Sequence, residues 1–163
     1  MSNMKPVRRV NKRRVKILQE FLNNLPDENV DLNVYCERSF FSNVAGRYFS
    51  KHSKSFAEIK DQLSKEHTCD TIGCIAGWTV VLFGPESWKV NPGSSMMIDN
   101  DGREINIAYE AKKLLVGEGY NAARLFDQNV TGKPDREEIN NRLNDLIKHG
   151  SKSMYIRKEE VRG

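Results

Sequence analysis

The sequence predicts a mainly α-helical fold: a single compact helical domain around a buried central helix at about residues 71–83, with one small β-hairpin at about residues 95–107. The chain has 163 residues, close to the commonest length of a single domain. Several segments repeat their apolar residues at helical spacing, and the segment at 71–83 is apolar on nearly every side. A helix without a polar face belongs at the centre of its domain, so roughly five to seven helices are expected around it.

The first helix is expected over about residues 6–25, because Pro6 suits a first turn and Pro26 stops the helix. At about 100° per residue, its apolar side chains fall on one side and most of its basic side chains on the other. The predicted core side consists of Val7, Val10, Ile17, Leu18, Phe21, Leu22 and Leu25. The opposite side forms a basic stripe of Lys5, Arg8, Arg9, Lys12 and Lys16.

Two further helices are predicted between the first helix and the central helix, each from a local signal. One is a set of apolar residues at helical spacing, namely Phe41, Val44, Ala45, Tyr48 and Phe49. The other is the pair Ser55 and Glu58, which has the spacing of a capping box. The central helix over residues 71–83 is expected to be capped by Asp70 or Thr71.

The hairpin is predicted from Asp101-Gly102, since Asp-Gly between apolar stretches is the strongest short hairpin signal. Helices are expected next at about residues 108–115 and 122–126, and a last one starts near Pro134 and stops at Gly150. Residues 1–16 are thus the basic start of the first helix, residues 17–150 a single helical domain, and residues 151–163 a frayed basic tail.

Charge is distributed unevenly along the chain, although the net charge is only +4. Residues 1–16 carry seven Lys and Arg and no Asp or Glu, and residues 148–163 carry five basic and two acidic residues. Residues 17–147 carry 14 basic and 20 acidic residues, a net charge of −6. The body is therefore acidic and both ends are basic. The basic ends are a better guide to the charge of a binding partner than the overall net charge is.

Composition favours a soluble protein of a reducing compartment. The longest apolar run, residues 74–83, is too short to cross a membrane, and no signal-peptide pattern follows the basic N-terminus. The cysteines, Cys36, Cys69 and Cys74, are odd in number, which favours free thiols. We therefore expect a cytoplasmic protein that uses no cofactor and no membrane.

A resemblance to a known family enters at residues 69–78, which read Cys-Asp-Thr-Ile-Gly-Cys-Ile-Ala-Gly-Trp. This segment resembles the C-x-T-x-x-C-I-A-G-W-like signature of a family of small bacteriophage and bacterial proteins. Leu125-Phe126 and residues 31–35 are similar to further segments of that family. The resemblance implies a phage or bacterial setting, hence the host bacterial cytoplasm for a phage protein, and no particular activity. Its structural motif residues are Cys69, Thr71, Cys74, Gly77 and Trp78.

A chemical and a structural interpretation compete for His67, Cys69 and Cys74. A cysteine near the start of a helix favours thiolate, and His67 could then serve as its base in a hydrolase. The same three residues are candidate zinc ligands, although the sequence contains no C-x-x-C pair. The structural interpretation makes Cys74 a small buried apolar residue, whose surroundings disfavour the thiolate. We prefer the structural interpretation, which predicts no catalytic residue and no metal ligand. A thiol- or zinc-dependent hydrolase is the alternative.

The basic stripe carries the strongest functional signal. A merely solvated helix face usually mixes both signs of charge. Here five cations share one arc of the helix, with no acid before Glu20, and they repel one another. Nucleic acid, an acidic protein surface or the protein's own acidic body would each offset this repulsion, and we favour an external partner. We therefore predict a non-enzymatic binding protein, a phage accessory factor that engages a host or phage macromolecule through Lys5, Arg8, Arg9, Lys12 and Lys16. The sequence leaves open whether that partner is an acidic protein surface or nucleic acid, and what the oligomeric state is.

Overall fold

A computed structural model describes residues 9–25, 29–30, 32, 41–43, 55–64, 71–90 and 96–159. The helices in those ranges are α1 (Lys12–Asn24), α2 (Phe56–Ser64), α3 (Ile75–Phe83), α4 (Ile107–Leu115), α5 (Ala123–Phe126) and α6 (Asp135–His149). The strands are β1 (Phe41–Asn43), β2 (Thr71–Gly73), β3 (Lys89–Val90), β4 (Met96–Ile98), β5 (Glu104–Asn106), β6 (Tyr120–Asn121) and β7 (Arg157–Lys158). The fold is mainly helical, as predicted. None of the described helices combines the length and the hydropathy that a membrane span requires.

Helix α3 lies at the centre of the core, and it packs against α1, α2, α4 and α5. Its first seven residues are all buried, because no side of the helix is polar. Trp78 is completely buried, and its indole N–H donates to the carbonyl of Asn29 at 2.9 Å. Gly84 ends the helix where a side chain would meet the Val80 carbonyl oxygen at 2.5 Å. The predicted central helix is therefore confirmed as the hub of the core.

The central helix is shorter at its start than predicted. Thr71–Gly73 forms β2, which pairs antiparallel with β1, and Phe41–Asn43 is accordingly extended rather than helical. Cys74, rather than Asp70 or Thr71, is the N-cap, and its sulfur accepts a hydrogen bond from the Gly77 N–H at 3.5 Å. The remainder of the helix predicted around residues 44–49 lies outside the described residues.

The predicted hairpin is present, and so is the Ser55 half of the predicted capping box. Strands β4 and β5 pair antiparallel around Asp101-Gly102, and β3 adds a third strand that the sequence did not predict. Ser55 accepts a hydrogen bond from the Glu58 N–H at 3.1 Å and opens α2. A further short pair, β6 with β7, involves the C-terminal segment.

That C-terminal segment corrects the expectation of a frayed tail. Ser153 and Ile156 are buried, and the Ser153 hydroxyl donates to the Asp145 carboxylate at 2.6 Å. Burial, reinforced by the nearby carboxylate of Glu138, raises the pKa of the Tyr155 hydroxyl above its ordinary value. Residues 150–159 are thus packed onto the helical domain, because apolar residues within the basic sequence have core positions to fill.

Helices α1 and α6 lie side by side and antiparallel. Near the end of α1, the Arg136 guanidinium donates to the carbonyls of Leu22 and Leu25 at 2.8 and 2.6 Å. Midway along the pair, the Gln19 amide donates to Asn140 and Asn144 at 3.0 and 2.8 Å. The start of α1 and the end of α6 consequently meet at one end of the molecule.

Candidate anion-binding surface

Helix α1 begins later than predicted, at Lys12 rather than near residue 6. Asn11 is its N-cap, with a side-chain oxygen that accepts from the Arg14 N–H at 3.0 Å. The Asn11 N–H in turn donates to the carbonyl of Leu115 at 2.8 Å and ties the helix start to α4. An asparagine cap satisfies an otherwise orphaned donor, which Pro6 cannot do, so the start is set at Asn11. Lys5 and Arg8 of the predicted stripe lie outside the described residues.

The inner side of α1 is firmly packed. Val15, Leu18 and Leu22 are buried, and the ring of Phe21 meets that of Trp78 edge-on at 5.8 Å between centroids. The predicted core position of Ile17 is wrong, because 41% of that residue is exposed. Val15 is buried instead of Ile17, because the buried side of α1 is centred on Leu18 and does not reach as far around the helix as Ile17. The helix therefore presents its outer side in a fixed orientation.

Four cationic side chains project from the outer side of α1 and from the turn before it. Arg9, Lys12, Arg13 and Lys16 are all exposed, and together they are called the α1 basic face. Three of them belong to the predicted stripe. Arg13 was missed because the predicted stripe included Lys5 and Arg8, which place the centre of the stripe further from Arg13 around the helix axis.

Arg14 belongs to the same basic run but has a structural role. Its Nη1 donates to the Leu114 carbonyl at 3.0 Å, and its guanidinium lies 5.9 Å from the centroid of the Phe83 ring. These contacts direct the charge toward α4 and α3 rather than toward solvent. The contrast with its neighbours shows which members of the basic run the fold itself uses.

The α1 basic face is electrostatically uncompensated. Among the described residues, ion pairs involve other cations, such as Lys112 with Glu159 and Arg142 with Glu138, and none involves this face. The expectation that the acidic body might neutralise the stripe therefore finds no support in the described contacts. Four like charges on one helix side repel, which costs the helix stability.

The position of these charges on α1 is also unfavourable for the helix. The first turn contains basic residues and no acidic one, although the positive end of the helix dipole lies there. Helix α6 has the opposite, favourable pattern: its first turn contains Asp135, Glu137 and Glu138, and its last turn contains Lys148 and His149. Helix stability therefore explains the charges of α6 but does not explain those of α1.

A cleft of about 920 Å³ opens where α1 begins and α6 ends. It is called the α1–α6 cleft, and it is lined by Arg9, Val10, Asn11, Lys12, His149, Gly150 and Ser151. Gly150 has a φ of 56°, and a Cβ built on it would lie 3.4 Å from Cε of Lys12. The Lys12 side chain thus lies across the end of α6 and brings its charge to the cleft.

Two further lysines directly precede and follow the lining residues His149, Gly150 and Ser151 in the sequence. Lys148 and Lys152 are exposed on either side of the lining residues. The His149 ring lies 3.6 Å from the Asp145 carboxylate, which also accepts hydrogen bonds from Ser153 and Met154. Hydrogen bonds from these neutral donors leave the charge of Asp145 in place, so one carboxylate lies near a border that also carries the exposed cations Lys12, Lys148 and Lys152.

The motif residues do not form an accessible chemical site in the described structure. Cys74, Gly77 and Trp78 are buried in α3 or at its cap, and Thr71 lies in β2. His67 and Cys69 lie outside the described residues. Within the described ranges, no three His, Cys, Asp or Glu side chains come together as a metal site. A hydrolase that uses Cys74 would need its thiol to reach substrate, and complete burial prevents this.

No family model, curated protein or solved structure matches this chain.

Proposed function

We propose that this protein is a non-enzymatic binding protein, a phage or bacterial accessory factor that engages an anionic macromolecule through the α1 basic face. The observation that carries the proposal is a set of four exposed cations, three on the docked helix α1 and one, Arg9, just before it. None of them has an ion-pair partner among the described residues. The phage or bacterial setting rests on the resemblance at residues 69–78 and stays a prediction.

The packing of α1 supports binding because it lowers the entropic cost of association. A floppy cationic segment must be ordered when it binds, whereas a helix fixed by Val15, Leu18 and Leu22 already presents its charges in place. Arg9 and Arg13 can contact phosphate or carboxylate with two parallel hydrogen bonds, and Lys12 and Lys16 act as point charges. Both classes of anionic macromolecule, acidic protein and nucleic acid, fit these groups.

The proposal is tested by reversing three charges of the face, Arg9→Glu, Lys12→Glu and Lys16→Glu, in one variant. Binding is measured by fluorescence anisotropy with two probes, a mixed-sequence DNA duplex and poly-L-glutamate. Because three attractions become repulsions, affinity for the polyanion that the parent protein binds should fall by about 100-fold or more.

A matched control changes the net charge equally at other exposed positions, with Lys89→Glu, Arg103→Glu and Lys133→Glu. This control should bind like the parent protein. Both variants should keep the parent's melting temperature within a few degrees, because exposed substitutions usually change the free energy of unfolding by about 0.5 kcal/mol or less. Binding of neither probe by the parent protein, or equal loss in both variants, would contradict the proposal.

A further inference from the structure

We propose that the partner is a nucleic acid, bound through its phosphodiester backbone, and that the contact surface continues from the α1 basic face across the α1–α6 cleft to Lys148 and Lys152. This inference rests on the proposed function and adds the class of partner and the second half of the surface. The added half lies about 130 residues away in sequence and is joined to the first only by the antiparallel packing of α1 and α6.

The second half of the surface has the same electrostatic character as the first. Lys148 and Lys152 are exposed, and the ion pairs among the described residues do not include either of them. Lys148 also stabilises the C-terminal end of α6 through the helix dipole, but Lys152 lies beyond α6, in the turn Gly150–Lys152. Stabilisation of α6 therefore accounts for Lys148 but not for Lys152.

The cleft between the two halves offers several ways of holding a phosphate. Arg9 and Lys12 provide charge on one wall, while the Ser151 hydroxyl on the other wall and the Asn11 amide beside Arg9 can form hydrogen bonds. The start of α1 carries the positive end of its helix dipole and the end of α6 the negative end of its own, so the two helix ends do not act together on an anion. Attraction for an anion therefore comes from the side chains.

The composition of this surface favours nucleic acid over an acidic protein. Protein interfaces are enriched in aromatic residues and methionine and depleted in lysine, whereas this surface is rich in lysine. Among the described residues, the large apolar side chains that are well exposed are Ile17, Tyr109, Val130 and Met154. Of these only Ile17 belongs to α1, and the described residues that line the α1–α6 cleft include no Phe, Tyr or Trp. The surface therefore lacks the apolar centre that a tight protein interface needs.

The spacing of the charges also favours a phosphodiester backbone. Lys12 and Lys16 are one helical turn apart, and successive phosphates of a strand lie about 3.4 Å apart along a duplex axis. A row of phosphates therefore offers an anion within reach of each cation in many registers. Single-strand binders usually stack successive bases on several aromatic rings, whereas the described lining of this cleft offers one imidazole, that of His149, and no Phe, Tyr or Trp. A duplex bound without sequence preference is therefore expected.

The experiment measures the salt dependence of binding to a mixed-sequence DNA duplex of about 24 base pairs, between about 50 and 200 mM KCl. The logarithm of the association constant should fall linearly with the logarithm of the salt concentration. Each phosphate contact that is removed should lower the steepness by about 1. The variants Arg9→Ala/Lys12→Ala and Lys148→Ala/Lys152→Ala should therefore each lower it by about 2, and a control, Arg103→Ala/Lys133→Ala, should leave it unchanged.

The outcomes separate this inference from the proposed function. If Arg9→Ala/Lys12→Ala lowers the slope but Lys148→Ala/Lys152→Ala behaves like the control, the extension to α6 is wrong and the proposed function stands. If the parent protein binds poly-L-glutamate in a manner that depends on the α1 basic face but does not bind the duplex, the nucleic-acid partner is wrong. If it binds neither polymer, both proposals fail. Circular dichroism of each variant confirms that the measured losses come from a folded protein.

Discussion

Among single residues, Trp78 contributes the largest completely buried side chain of the described core. It contacts Phe21 of α1 and the backbone of Asn29, so it connects the central helix with two other parts of the chain. Trp78→Ala removes this volume and should lower the free energy of unfolding by about 3–5 kcal/mol, as large core truncations do. Urea unfolding followed by circular dichroism measures the loss.

The control for Trp78 is Tyr109→Ala, since 48% of Tyr109 is exposed and its ring contacts mainly the ammonium groups of Lys112 and Lys113. That variant should stay within about 0.5–1 kcal/mol of the parent protein. Equal unfolding midpoints for Trp78→Ala and the parent would be incompatible with α3 as the centre of the core.

Residue-level predictions from the sequence succeeded where one interaction determines the outcome. Ser55 accepts from the Glu58 N–H as predicted, because both partners are local, while the Glu58 carboxylate accepts from the Ser55 hydroxyl rather than from its backbone N–H. The burial of Val15 in place of Ile17 was not predictable in the same way. Both are apolar and lie on neighbouring arcs of α1, and the choice between them depends on how α3 and α6 pack against the helix.

At the scale of elements, Gly150 fixes how α6 ends and where the α1–α6 cleft opens. Its φ of 56° and ψ of −126° belong to a region that only glycine adopts without strain. Gly150→Ala should lower the free energy of unfolding by about 1–3 kcal/mol, because the backbone is strained and the added methyl group lies near Lys12. Chemical denaturation measures the change.

Gly119 is the matched control for Gly150. It is exposed, has no atom within 4 Å of a built Cβ, and its φ lies outside the left-handed region. Gly119→Ala should therefore leave stability unchanged or raise it slightly, because alanine restricts the unfolded chain. A Gly150→Ala protein as stable as Gly119→Ala would show that the end of α6 tolerates another conformation.

Element boundaries were predictable where local signals are strong. Gly150 and Pro134 bounded α6 correctly, and Asp101-Gly102 placed the β4–β5 hairpin. The pairing of β1 with β2 was missed, because each strand has three residues and a gap of 27 residues separates them. Such a short, non-local pairing leaves no periodic pattern in the sequence. The same is true of β6 and β7, whose pairing orders the C-terminal segment.

For the whole molecule, the sequence predicted half of the candidate site. The acidic body and the basic N-terminal run are properties of composition, and three residues of the α1 basic face followed from helical spacing. The cleft did not follow, because it exists only where two helices from opposite ends of the chain lie antiparallel. Lys152 was assigned to a tail, and its place next to Ser151, which lines the cleft, is a consequence of tertiary packing.

The charge pattern of α1 is unfavourable for the stability of the helix, and the proposed function gives these charges a role in binding. Arg13 lies in the first turn of α1, where the helix dipole disfavours a cation, and Lys16 is three residues further along the same side. Arg13→Glu replaces two repulsions with two attractions. It should raise the free energy of unfolding by about 0.5–1 kcal/mol at low ionic strength, and this gain should shrink at high salt. The same variant should weaken binding to the duplex, because it reverses one charge of the α1 basic face.

Arg103→Glu is the control, since it changes the net charge equally at an exposed turn position outside the helices. It should alter neither stability nor duplex binding appreciably. Urea unfolding at two salt concentrations and anisotropy with the duplex give the two quantities for each protein.

A destabilised Arg13→Glu protein would mean that the guanidinium makes a stabilising contact and that the α1 basic face is structural. Increased stability with unchanged binding would remove Arg13 from the binding surface. Increased stability together with weakened binding is the expected result, because a cation that the fold does not use is then retained for its partner.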